Sequence, residues 1–164
     1  MAERTMSERP GPRSSGPDPE LRAQEEREWI ELHVLIDSLP RDQVDRTGYF
    51  EEGWSAKDLV AHVGSWLAEA GAVLQRIRFG TYRREEIDID EMNARFFEAL
   101  HDVPFDVVRA QASAARTRML EAWGALEEPS PEADWWIRKA GPDHYAEHLP
   151  RLREWVAEVH SQTR

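Results

Sequence analysis

The chain has 164 residues with 32 acidic against 21 basic side chains, a net charge of -11 and no cysteine. A length near 150 residues points to one domain, and the acidic balance argues against nucleic acid or an anionic membrane surface as partner. Without cysteine there are no disulfides, thiolate ligands or thiol nucleophiles, so any metal must be held by His, Asp or Glu. No apolar run approaches the ~20 residues of a membrane span. The N-terminus lacks the apolar stretch of a secretory signal, and the cytoplasm is the expected compartment. Arginine outnumbers lysine 19 to 2, a bias that reads as a high-GC bacterial genome.

Residues 1–19 are rich in Pro, Gly, Ser and charge and predict a flexible tail, leaving 20–164 as a single helical domain. A first helix is predicted from Pro19 to Ser38, where Trp29, Leu32, Ile36 and Leu39 recur on one face and Pro40 ends it. His33 shares that face. Residues 40–54 predict a loop, with turn signals at Arg46-Thr47-Gly48 and Glu52-Gly53. Ser55 then stands as an N-cap with Asp58 at N3, a capping-box variant, and Trp54 before it can staple onto Leu59. The second helix carries Leu59, His62, Val63, Trp66, Leu67, Ala70, Val73, Leu74 and Ile77 at a 3.6 period, up to Gly80.

Residues 80–103 predict a long connection holding a short helix with Ile89, Met92, Phe96 and Leu100 on one face. His101 ends it, where a cation suits the helix dipole. Pro104 opens a third long helix with the stripe Phe105, Val108, Ala112, Ala115, Met119, Ala122 and Leu126. Pro129, Pro131 and Gly141 predict a loop over 127–141, with Trp135 and Trp136 in need of burial. A last helix starts near Pro142 and buries Tyr145, His148, Leu149, Leu152, Trp155, Val156 and Val159. Pro150 inside it removes the bond to the Ala146 carbonyl and predicts a kink. No strand pattern and no repeat is present. The expected fold is all-α: a four-helix bundle with one long crossover between the second and third long helices and a short extra helix in that crossover.

Three histidines stand out chemically. His144 and His148 lie one turn apart on one helix, and His62 faces inward near the start of another. An i, i+4 pair plus a third imidazole can hold one divalent ion with open positions. The competing reading is a set of core histidines, and the sequence does not fix which end of the second helix meets the last. The string His144-x-x-Glu147-His148 matches an inverted zinc-protease motif, but only sixteen residues follow it. That leaves no room for the motif's distant third ligand, and the match is read as chance. Glu147 and His33 are the candidate proton carriers. Trp66 and Tyr145 are the candidate pocket residues beside the ion.

The run Gly53-Trp54-Ser55-Ala56-Lys57-Asp58-Leu59-Val60-Ala61-His62-Val63-Gly64-Ser65-Trp66 resembles the second-helix signature of the DinB/YfiT-like superfamily. Asn93-Ala94-Arg95-Phe96-Phe97-Glu98-Ala99 and His144-Tyr145-Ala146-Glu147-His148-Leu149 resemble its ClbS/DfsB branch. The resemblance covers roughly residues 20–160. It implies a DinB-like bundle whose crossover brings the second and fourth helices together, and a divalent metal, zinc or nickel, on His62, His144 and His148. The superfamily includes transferases and isomerases that use low-molecular-weight thiols, together with hydrolase-like detoxification proteins. The N-terminal domain of thiol-dependent maleylpyruvate isomerases is similar in this region. The implied partner is a small-molecule substrate with a low-molecular-weight thiol as candidate cosubstrate. Monomer and homodimer are both compatible with the sequence. A non-catalytic bundle that sequesters a small molecule is the alternative.

Overall fold

The computed structural model of the chain describes residues 16–50 and 53–163. Of the tail expected over 1–19, residues 1–15 lie outside the described residues, as does the turn residue Glu52. Six α-helices account for the regular structure described, with no strand among the described residues: α1 Pro19–Ser38, α2 Ala56–Arg78, α3 Ile89–Leu100, α4 Phe105–Gly124, α5 Pro131–Ala140 and α6 Pro142–Gln162. A 3-10 turn at Arg41–Gln43 follows α1. No helix among the described residues is long and apolar enough to cross a membrane.

The boundaries follow local chemistry. Asp18 caps α1, its carboxylate accepting from the Glu20 and Leu21 amides. Ser55 and Asp58 form a reciprocal capping box at the start of α2, which satisfies two amides that a helix start otherwise leaves unpaired. Gly80, with φ of 69°, supplies the left-handed residue beyond the end of α2. Pro104 precedes α4 as expected.

The stretch 127–141 corrects the sequence reading. Residues 131–140 form α5 rather than a loop. Pro131 sits in the first turn, where its missing N–H costs nothing. Ser130 accepts from the Ala133 amide, 3.2 Å away, and caps the helix. Ala133, Trp136, Ile137 and Ala140 form its buried face, an i, i+3, i+4, i+7 stripe. That pattern was present in the sequence, and the prolines masked it.

The long helices pack in defined registers. Gly64 faces Ala112 and Gly71 faces Met119. Both contacts advance by seven residues, so α2 and α4 run parallel and close. Tyr145 bonds Glu25, Arg153 pairs with Glu31, and His160 Nε2 lies 2.8 Å from the Ser38 carbonyl. These pairs advance together, so α1 and α6 also run parallel. Arg109 pairs with Asp37 and Arg116 with Glu25, which sets α4 antiparallel to α1. The core between them is continuous and includes Trp123, Leu32, Leu59, Leu67 and Leu152, each fully buried.

The α2–α4 contact gives a sharp test. A Cβ on Gly64 would stand 2.7 Å from the Ala112 Cβ and 2.9 Å from its Cα. Backbone cannot swing aside, so Gly64→Ala should destabilise by ~1–3 kcal/mol through overpacking, despite a helix preference of ~1 kcal/mol for alanine. Gly124 has open space where its Cβ would be, so Gly124→Ala should be neutral or stabilising. Urea unfolding of both variants reads the contrast. Equal stability changes would contradict the close approach.

Candidate metal centre

His62 lies two turns into α2, while His144 and His148 lie in the first two turns of α6. The capping box fixes where α2 starts, and Pro142 in the first turn does the same for α6. The three side chains meet at one point. His62 Nε2 is 2.8 Å from His144 Nε2, and His148 Nε2 is 3.1 Å from the same atom. The three ligand nitrogens lie within 4.8 Å of one another. His62 and His144 are buried, and His148 is half-buried.

Hydrogen bonding alone does not satisfy this arrangement. A neutral ring nitrogen offers one N–H or one lone pair, and His144 Nε2 faces two partners at once. A cation between the rings would accept all three lone pairs. Nitrogens ~2.0–2.1 Å from one tetrahedral ion stand ~3.3 Å apart, close to the 2.8 and 3.1 Å seen here. The donor set is three imidazoles with no competing carboxylate, and it fits a divalent ion of the zinc type. His62 Nδ1 is buried without a protein partner, so the triad lacks on that ring the outer hydrogen bond that commonly orients a ligating histidine.

Burial holds the rings in the neutral form that ligation requires. Desolvation, then the neighbouring His148, pushes the His62 pKa down to about 3. Desolvation pushes His148 down to about 4. His144 falls well below the usual histidine range for the same first cause, followed by His62 and His148, while a hydrogen bond to the Ala140 backbone works the other way. Depressed folded-state values mean that the unfolded chain binds more protons below pH ~6.5. Stability of metal-free protein is therefore full above pH ~6.5 and is lost as pH falls. The expected slope is up to ~1.4 kcal/mol per pH unit for each titrating histidine. Urea unfolding between pH 7 and 5 measures it, and His62→Gln should reduce the slope. A flat profile would contradict the burial of the triad.

The triad opens onto a cavity of about 860 Å³. Its lining includes Trp54, Trp66, Trp135, Trp136, Tyr82 and Glu147. Trp66 is fixed by an indole N–H that donates to Asn93 Oδ1 at 2.9 Å. Trp54 stacks on Phe97 with ring centroids 5.4 Å apart and meets the His62 ring edge-on at 5.3 Å. Glu147 is exposed at the rim, one residue before His148.

Two expected site residues lie elsewhere. Tyr145 is fully buried but does not line the cavity; its hydroxyl donates to Glu25 Oε1 at 3.0 Å. Consecutive helical residues point ~100° apart, so Tyr145 turns to α1 while His144 turns to α2. His33 does not line the cavity either. Its ring lies 3.9 Å from the Trp29 ring, and Nδ1 is 3.0 Å from the Trp29 carbonyl. Burial pushes its pKa down. Sequence reasoning missed Tyr82, Asn93, Trp135 and Trp136 as wall residues. It also missed the bond between His101 Nδ1 and the buried Asp58 carboxylate, 3.1 Å apart, which ties the end of α3 to the start of α2.

No protein-family model matches the sequence, and no curated protein matches it. A crystal structure of an uncharacterised protein from Escherichia coli UTI89 is similar in fold, with a TM-score of 0.73 at 14% identity. The match covers 88% of this chain and 96% of that one. At that identity the likeness concerns the fold alone.

Proposed function

We propose that this chain is a divalent-metal-binding protein of DinB-like architecture, a metal-dependent transferase or hydrolase acting on a small reactive molecule in detoxification or stress. The observation that carries this reading is the convergence of three imidazole Nε2 atoms at the end of an aromatic cavity. The parallel registers of α2 with α4 and of α1 with α6 support a four-helix bundle. A parallel α2–α4 pair calls for a long connection, and residues 79–104 would serve as that crossover.

A bound zinc or nickel ion supplies Lewis acidity. The chain's own residues have separate tasks. His62, His144 and His148 would hold the ion beside the cavity that they line. Trp54 and Trp66, held by Phe97 and Asn93, exclude water and shape the space. Glu147, at the rim beside His148, takes up or delivers a proton. A low-molecular-weight thiol is the candidate cosubstrate.

Thiol-transfer and hydrolysis screens with metal-loaded wild type and with His62→Ala test the reading. Turnover that depends on metal and disappears in the variant is expected. The second reading, a non-catalytic sequestering protein, draws on the apolar side chains exposed at the cavity mouth. Saturable ligand binding without turnover that survives loss of all three histidines would favour it.

A further inference from the structure

The geometry points to the chemical class of molecule that fills the mouth of this cavity: an aromatic body carrying no negative charge. The inference rests on the reading of the triad's cavity as a binding site, and it adds the ligand class.

Large apolar side chains exposed to water cluster at this mouth. Trp135 is 46% exposed, Ile89 58% and Ile87 37%, and all three line the cavity. An exposed indole that packs edge-on against a buried one, as Trp135 does on Trp136 at 5.4 Å, is a rigid platform with a free face. Grouped apolar exposure of this kind marks a ligand surface. The space suits a drug-sized molecule, since ligand pockets run ~300–1,000 Å³.

The polar groups select against anions. The Trp66 and Trp136 N–H donors, which could have met a carboxylate or phosphate, are already used within the wall. Trp66 donates to Asn93, and Trp136 donates to the Tyr82 hydroxyl at 3.3 Å. That hydroxyl donates in turn to Glu132 at 3.0 Å. Glu85 and Glu147 also face the cavity. Against these carboxylates stand Lys139, whose ammonium pairs with Asp143 at 3.1 Å, and Arg84. Indole faces beside three carboxylates, Glu85, Glu132 and Glu147, against two cations, Arg84 and Lys139, favour a neutral or cationic aromatic guest through stacking and cation–π attraction. A divalent ion on the triad would attract an anion to the floor, so the mouth must be tested with the metal removed.

Equilibrium dialysis of the full chain, stripped with a chelator, measures this at pH 7.5. The probes are 1-naphthylmethylamine, 1-naphthylmethanol and 1-naphthoate, which share one ring system and differ in charge. The amine and the alcohol should bind once per chain, and the carboxylate about tenfold or more weaker. Trp135→Ala removes an exposed ring, so the fold survives, and it should weaken the amine and the alcohol about tenfold. Glu85→Gln with Glu147→Gln should narrow the gap between amine and carboxylate. Naphthoate binding as well as the amine, no saturable binding of any probe, or a Trp135→Ala variant that binds all three as before would overturn the inference. Metal content of unstripped wild type and Trp135→Ala, read by elemental analysis, reports on the triad separately: failure of the triad removes metal from both and leaves the dialysis result standing.

Discussion

Replacing His148 by alanine should abolish stoichiometric divalent-metal binding while leaving the helices folded. His148 supplies one of three converging Nε2 atoms, and its ring is the only half-buried one of the three. Truncation therefore opens little core, and Leu149 and Leu152 still anchor α6. Two imidazoles one helix apart hold an ion far less well than three. Loss of a merely orienting partner around a metal ligand costs 10–100-fold in affinity, so loss of a ligand should exceed ~100-fold. Competition against a chromophoric chelator measures the affinity, and circular dichroism reports the helices. His144→Ala should lose metal too, with a larger stability penalty because His144 is buried. Stoichiometric metal retained in His148→Ala would remove that residue from the site.

The largest effect on stability is expected at the buried pair of Glu25 and Arg116. Its side chain is fully buried, and Arg116 grips it with two hydrogen bonds of 2.7 Å each. The Tyr145 hydroxyl donates a third at 3.0 Å. Removing one partner of a buried pair costs ~3–5 kcal/mol, because the survivor keeps its desolvation cost without its partner. The two partners differ. The Arg116 side chain is 20% exposed and lies over the Trp29 ring, so after Glu25→Ala it can reach water, and the loss should fall near ~3 kcal/mol. Arg116→Ala strands a carboxylate with no exposure and should cost more, near ~5 kcal/mol. At ~2–4 °C per kcal/mol for a chain of this size, thermal unfolding should drop by about 6–12 °C in Glu25→Ala and by about 10–20 °C in Arg116→Ala. A double replacement by methionine should recover much of the loss. Single variants as stable as wild type would show that the network carries no net stability.

The helices were legible because their signals are local. Ser55 and Asp58 announce the start of α2, and the apolar stripes of α2, α4 and α6 follow one period. The triad was legible for the same reason: His144 and His148 are one turn apart, and His62 falls on the inward stripe of α2. The cavity was not legible, because its walls come from distant segments. Tyr82, Ile87 and Asn93 lie between α2 and the end of α3, and Trp135 and Trp136 lie on α5. Only the packing of α3 and α5 against α2 brings them over the histidines. The helix α5 was hidden because Pro129 and Pro131 read as breakers, although Pro131 occupies the first turn that tolerates it. Tyr145 and His33 sit on inward stripes, which is why the sequence points to them as site residues. An inward stripe ~100° wide can face two neighbours, and both residues face the Glu25 and Trp29 side of the core instead.

Anomalous diffraction from crystals of untagged protein grown with zinc, collected on both sides of the zinc absorption edge, tests the triad most directly. One strong peak per chain is expected, ~2.0–2.1 Å from the Nε2 atoms of His62, His144 and His148. A map with no peak between these rings, or one whose zinc peaks lie only on surface carboxylates, would contradict it.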